Sequence, residues 1–179
     1  MKKLFKKKYD KIGILGGTFD PPHIGHLHIS KIALKKLKLN KVIWIITKQN
    51  QLKKKPYLNI KLRIKLSKNI LKKQKKISVK YSNNLINSKN TYDLLRYLKK
   101  NSTDKKLFFL MGADNLINFH KWRKWKKIPD LAKIVVFART KYSTRAFKSI
   151  AAKKLRKKDW IYIKDKKINI SSSLIRKFW

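Results

Sequence analysis

Two hydrophobic rhythms alternate along this chain. Compact apolar runs at Lys11–Leu15, Lys41–Thr47, Ile77–Tyr81, Lys106–Met111, Ile134–Arg139 and Trp160–Ile163 read as short buried strands. Between them, apolar residues recur three and four apart. After Pro21-Pro22, the positions Ile24, Leu27, Ile32, Leu34 and Leu37 predict a helix that opens near His23. Ile60, Leu62, Ile64, Leu66, Ile70 and Leu71 predict a second helix, capped by Asn59 and running to about Lys75. Thr91 is placed to cap a helix over Tyr92–Lys100, and Gly112 leads into a helical segment at Asp114–Phe119. Further helices are expected over Trp125–Ala132 and, strongly basic, over Thr144–Lys157, while Ser171 or Ser172 begins a closing helix.

Strands that alternate with helices predict an α/β fold: a doubly wound parallel sheet in a single domain, with right-handed crossovers. Ligands of such sheets bind at the carboxyl ends of the strands. No internal repeat or linker divides the chain, so residues 1–10 read as a basic tail and 11–179 as the domain.

Composition narrows the class. The 179 residues are 42% hydrophobic, enough for a core. No cysteine is present, which removes disulfides, thiolate nucleophiles and cysteine-ligated zinc, and fits a reducing cytoplasm. The apolar runs Val42–Ile46 and Ile134–Ala138 are too short to span a bilayer, and Met-Lys-Lys is not followed by a signal-peptide core, so no membrane role is expected. Fifty basic residues against eight acidic ones give a formal charge of +42. Such a field draws in polyanions, and a nucleic-acid or anionic-membrane binder is one reading. Compositional drift is the other: only seven of the basic residues are arginine, whereas specific nucleic-acid readers favour the arginine fork.

The chemistry concentrates in one segment. Four of five glycines (Gly13, Gly16, Gly17, Gly25) and three of four histidines (His23, His26, His28) lie between residues 13 and 28. Gly16 and Gly17 let backbone turn sharply and approach a ligand, and Thr18 adds a hydroxyl and an N–H. The helix that follows aims free N–H groups and its positive dipole end at the same loop. His23 and His26, three apart, share a helical face; His28 points elsewhere. Together they form a phosphate grip.

From Gly17 to His26 the string Gly-Thr-Phe-Asp-Pro-Pro-His-Ile-Gly-His resembles, at every defined position, the Gly-[Ser/Thr]-Phe-Asp-Pro-x-His-x-Gly-His signature of the nucleotidylyltransferase superfamily. The element His23-Ile24-Gly25-His26 also occurs in class I aminoacyl-tRNA synthetases, but no Lys-Met-Ser-Lys-Ser-like loop follows. Three later segments resemble bacterial nicotinate-nucleotide adenylyltransferase: Met111-Gly112-Ala113-Asp114-Asn115 with Trp122 downstream, Thr91-Tyr92-Asp93, and Ile170-Ser171-Ser172-Ser173-Leu174-Ile175-Arg176.

The resemblance implies a Rossmann-like nucleotidylyltransferase fold and transfer of AMP from ATP to nicotinate mononucleotide. His23 and His26 are then the catalytic pair. Gly16, Gly17, Thr18, Phe19, Ser172, Ser173, Arg176 and Lys53 hold ATP phosphates, with Lys53 standing for the lysine of the family's Pro-x-Lys loop although Gln51 replaces the proline. Gly112 and Asp114 take the ribose, and Thr91, Tyr92 and Trp122 the nicotinate. Ordinary roles stay open for several: an N-cap for Ser172 and Ser173, loop capping for Asp114, core packing for Trp122, solvation for Lys53. Mg²⁺ is expected as cofactor, held mainly through ATP phosphates, with no protein metal site. The partners are ATP and nicotinate mononucleotide; nucleic acid is not expected as a specific partner, and homo-oligomerisation stays open. The neighbouring activities left open are phosphopantetheine and nicotinamide mononucleotide adenylyl transfer.

Overall fold

The computed structural model describes residues 10–50, 52, 54–164 and 170–179. Six strands, β1 (Asp10–Gly17), β2 (Lys41–Ile46), β3 (Ile77–Tyr81), β4 (Lys105–Gly112), β5 (Lys133–Phe137) and β6 (Trp160–Ile163), form one sheet in the order β3-β2-β1-β4-β5-β6. Every neighbouring pair is parallel. This is the doubly wound order, and its switch point lies between β1 and β4. Asp10 opens β1, one residue ahead of the boundary read from the sequence; residues 1–9 of the expected tail lie outside the described residues.

Strand side chains alternate between the faces, as a period of two requires. Ile12, Ile14, Ile43, Ile45, Phe109, Met111, Ile134 and Val136 build one core with α3 (Thr91–Lys100) and α4 (Ala113–Ile117). Leu15, Val42, Trp44, Ile46, Leu110, Val135 and Phe137 build the other beneath α1 (Ile24–Lys36) and α2 (Ile60–Leu71). Burial on both faces explains why the strands read as continuous apolar runs. Among the described residues no helix is long and apolar enough to cross a membrane.

Five helical expectations need correction. The second helix stops at Leu71, its last buried apolar residue, because the lysine-rich stretch beyond offers no apolar face. Asn90, not Thr91, is the N-cap of α3, and Ser88, Asn90 and Asp93 are hydrogen-bonded to one another at its start. Asp114–Phe119 divides into α4 and a 3₁₀ turn at Phe119–Lys121. Trp125–Ala132 keeps only a 3₁₀ turn at Trp125–Lys127, since Pro129 has no N–H to give the Trp125 carbonyl. The basic helix expected over Thr144–Lys157 is two short ones, α5 (Ser143–Phe147) and α6 (Ile150–Lys154). Ser149 separates them: its hydroxyl donates to Ala146 O at 2.7 Å and accepts from Ala152 N–H at 3.2 Å.

Candidate active site

The first loop leaves β1 at Gly17, but the turn is not made by the glycines. Gly16 and Gly17 stay in the strand, and Phe19 takes the left-handed conformation, φ 51°. Phe19 tolerates that backbone because its ring is clamped, with centroids 4.6 Å from His26 and 5.0 Å from Trp44. Trp44 is itself fixed by donating from Nε1 to Ser30 Oγ at 2.8 Å, and Ser30 donates to His26 O.

His23 is the N-cap of α1. Its ring lies against that of His26 with centroids 3.8 Å apart and planes tilted by 37°, and its backbone N–H donates to His26 Nδ1 at 3.2 Å. That bond makes Nδ1 an acceptor, so in the neutral His26 ring the proton sits on Nε2. Burial, aided by the nearby Arg139 charge, lowers the His23 pKa from 6.5 to about 4, so this imidazole is neutral at physiological pH. A Cβ on Gly25 would lie 2.8 Å from His23 Nδ1 and 3.0 Å from Ile170 Cγ2, so only glycine lets the ring fold back here.

Across the switch point, Gly112 ends β4 and Asp114 stands in the first turn of α4. The Asp114 carboxylate doubles back over Gly112, where a Cβ would meet Oδ1 at 2.5 Å. Its Oδ2 accepts from Arg139 Nη1 at 2.8 Å, while the buried Oδ1 has no partner among the described residues.

A cavity of about 500 Å³ lies between these two strand ends. Gly16, Gly17, Thr18, Phe19, His23, His26, Gly112, Asp114, Ser172 and Ser173 all line it. A smaller one, about 90 Å³, adjoins it and is lined by Thr91, Lys89, Lys121 and Arg123 among others. Gly16, Gly17, Phe109 and Trp122 belong to both walls. Trp122, on both walls, also meets Phe119 edge-on at 5.2 Å and packs against the core, as its packing alternative expects.

Two expected site residues face elsewhere. Tyr92 lines neither cavity; one helical residue past Thr91, it is rotated about 100° and packs on the core with Lys124 Nζ 5.2 Å above its ring. Arg176 also lines neither; its guanidinium donates to Asp20 O and to Ser173 Oγ, and lies 3.6 Å from the Asp20 carboxylate. Lys53 lies outside the described residues. The closing helix α7 (Ser172–Ile175) is capped by Ser171, while Ser172 donates to Pro21 O at 2.8 Å.

Three residues without a role in the sequence reading hold the site together. Buried Asp20 accepts from Tyr57 N–H at 2.9 Å and Leu58 N–H at 2.8 Å. Arg63 is buried beneath the loop, and Arg139 fixes Asp114. The available signal was rarity, since lysine is this chain's default cation. Among the described residues no group of three or more His, Cys, Asp or Glu is placed to hold a metal.

The cytidylyltransferase-like family model matches residues 14–178. A protein of Pelagibacter ubique named probable nicotinate-nucleotide adenylyltransferase is 49% identical over 173 residues, covering 96% of this chain and 94% of its own. A Bradyrhizobium protein of the same name is 31% identical, covering 93% and 95%. The fold matches that of the Plasmodium falciparum nicotinic acid mononucleotide adenylyltransferase solved with NaAD, at TM-score 0.76 and 20% identity over 95% of this chain and 84% of that one. The chain thus belongs to the cytidylyltransferase-like family, among the nicotinate-nucleotide adenylyltransferases.

Proposed function

We propose that this enzyme transfers AMP from ATP to nicotinate mononucleotide, giving the deamido dinucleotide and pyrophosphate. The observation that carries this reading is the pair of adjoining cavities, which meet over the bare backbone of Gly16-Gly17 beside His23 and His26. A phosphate oxygen of the mononucleotide attacks the α-phosphorus of ATP; the new P–O bond forms as the bond to the β-phosphate oxygen breaks, and pyrophosphate leaves. The nucleophile is already ionised, so no general base is required. Alignment and charge stabilisation remain for the protein to supply.

ATP occupies the larger cavity in this reading. His26 offers Nε2–H, and neutral His23 braces the same phosphate without an ammonium-like charge. Thr18 and the Ser172–Ser173 turn face the triphosphate, and Asp114 accepts from a ribose hydroxyl. The nicotinate ring enters the smaller cavity beside Thr91 and Trp122. Among the described residues that cavity is lined by Lys89, Lys121 and Arg123, the last paired with Asp93 behind the wall, and by no carboxylate; the two lysines left without an acid favour the nicotinate over its amide. Mg²⁺ would arrive on the phosphates and neutralise the charge developing on pyrophosphate. The nearest carboxylates, Asp20 and Asp114, are both engaged by arginine, which suits a metal held by the nucleotide.

Pyrophosphate release with ATP and, in turn, nicotinate mononucleotide, its amide and phosphopantetheine tests the assignment. Release is expected to be fastest with the acid; none with any acceptor overturns it. In the same assay His26→Ala should lower kcat by roughly a hundredfold, and unchanged turnover would remove His26 from the phosphate grip.

A further inference from the structure

Arg63 is 2% exposed, yet no step of the transfer uses it. Its guanidinium reaches three separate segments of chain. Nη1 donates to Thr18 O at 2.7 Å and to Thr47 O at 2.8 Å. Nη2 donates to Lys48 O at 3.1 Å, and Nε to Leu58 O at 3.0 Å. Thr18 lines the larger cavity and Thr47 the smaller one. Asp20 extends the tie from the other side, through Tyr57 N–H and Leu58 N–H.

A buried cation persists only where its donors are satisfied. Four carbonyls on three segments fit the planar fork of arginine; the ammonium of lysine has three donors at one point and cannot span them. The fork is also anchored to a rigid element, since Arg63 lies in the first turn of α2 and that helix is pinned to the sheet by Leu71 and Ile64.

We propose that Arg63 is a positioning residue that sets the separation of the two substrate cavities, by tying the Thr18 loop to the segment after β2. The inference rests on the adenylyl-transfer reading. Each substrate touches one side of the tie, so each still binds when it is loosened. Transfer needs both phosphates in register: reacting atoms must approach to about 3–3.5 Å, and a displacement of about 1 Å costs on the order of a hundredfold. The expected signature is therefore loss of kcat with little change in binding.

The full-length chain carrying Arg63→Lys or Arg63→Gln tests this, each assayed well below its own Tm. ATP·Mg affinity is measured by calorimetry without acceptor, and kcat and both KM values by pyrophosphate release. Arg63→Lys should lower kcat by about a hundredfold, while the ATP Kd and both KM values stay within about threefold; Arg63→Gln should lose at least as much. A folded Arg63→Lys protein with wild-type kcat overturns the proposal, as does a loss that only tracks the unfolded fraction. Failure of both variants to fold assigns Arg63 to stability alone and overturns it too. A wild-type chain that releases no pyrophosphate overturns the transfer reading itself, an outcome distinct from an active wild type beside an equally active variant.

Discussion

Asp20 and Asp114 are both carboxylates at the switch point, one on the loop after β1 and the other in the first turn of α4 after β4, and each is paired with an arginine. Their oxygens are used differently. Asp20 is turned inward, its Oδ1 and Oδ2 each taken by a backbone N–H, with Arg176 beside it. Asp114 lies on the cavity wall, gives Oδ2 to Arg139 and keeps Oδ1 without a partner among the described residues. A carboxylate whose acceptors are all spent on chain can only hold the scaffold. One with acceptor capacity left in a cavity can read a ligand. The same side chain thus builds the loop on one side of the crevice and, in the proposed transfer, accepts from a ribose hydroxyl on the other.

Asp20→Asn breaks the scaffold side and should have the largest effect. The amide keeps the size but sets an NH₂ against one of the two N–H donors, and removes the charge facing Arg176. Breaking a buried charged network in this way costs about 3 kcal/mol, or roughly 10 °C in Tm for a domain of this size. Thermal unfolding without ligand measures it. A Tm within a degree or two of wild type would place Asp20 with the solvent-facing carboxylates.

Asp114→Asn tests the ligand side. The substitution should leave Tm nearly unchanged and raise the KM for ATP by about tenfold, the value of one charged hydrogen bond of ~1.4 kcal/mol. Should Tm fall as far as in Asp20→Asn, with KM intact, the distinction between the two acids would collapse.

The contrast also explains what the sequence could reveal. The six strands and their all-parallel pairing were legible because each strand is buried on both faces and so leaves an unbroken apolar run. The Gly16–His26 cluster was legible because its residue types are scarce elsewhere. Arg63 left no such local trace: its partners Thr18 and Thr47 lie 45 and 16 residues away, and nothing within α2 marks an inward-facing cation. Tyr92 misled because a short motif says which residues are adjacent in the chain, not which of them a helix turns toward the cavity. Yet a composition signal was present. Five of the seven arginines, Arg63, Arg123, Arg139, Arg156 and Arg176, bind a carboxylate or a set of carbonyls. In a chain that otherwise uses lysine, arginine marks the places where a flat, multi-donor fork is needed.

His23 lies between the two acids, capping the helix after the Asp20 loop while feeling the charge of Arg139, the partner of Asp114. Its titration gives the smallest effect. The folded pKa of about 4 lies below the unfolded value near 6.5, so between them the unfolded chain takes up a proton that the folded chain refuses. Stability from this group is complete above pH 6.5 and is lost as pH falls toward 4. With solvent screening of a part-exposed ring, the loss is roughly 1 kcal/mol, or ~3 °C in Tm. Because carboxylates titrate in the same range, the quantity to measure is the difference between wild type and His23→Gln. That variant should unfold with a shallower pH dependence across the window, and its curve should diverge from wild type only below pH 6.5. Parallel curves would mean that the ring is more solvated than its packing against Gly25 and His26 implies. Adding Asp114→Asn should leave the onset near pH 6.5 and extend the divergence to still lower pH, since Arg139 would then face His23 without a counter-charge.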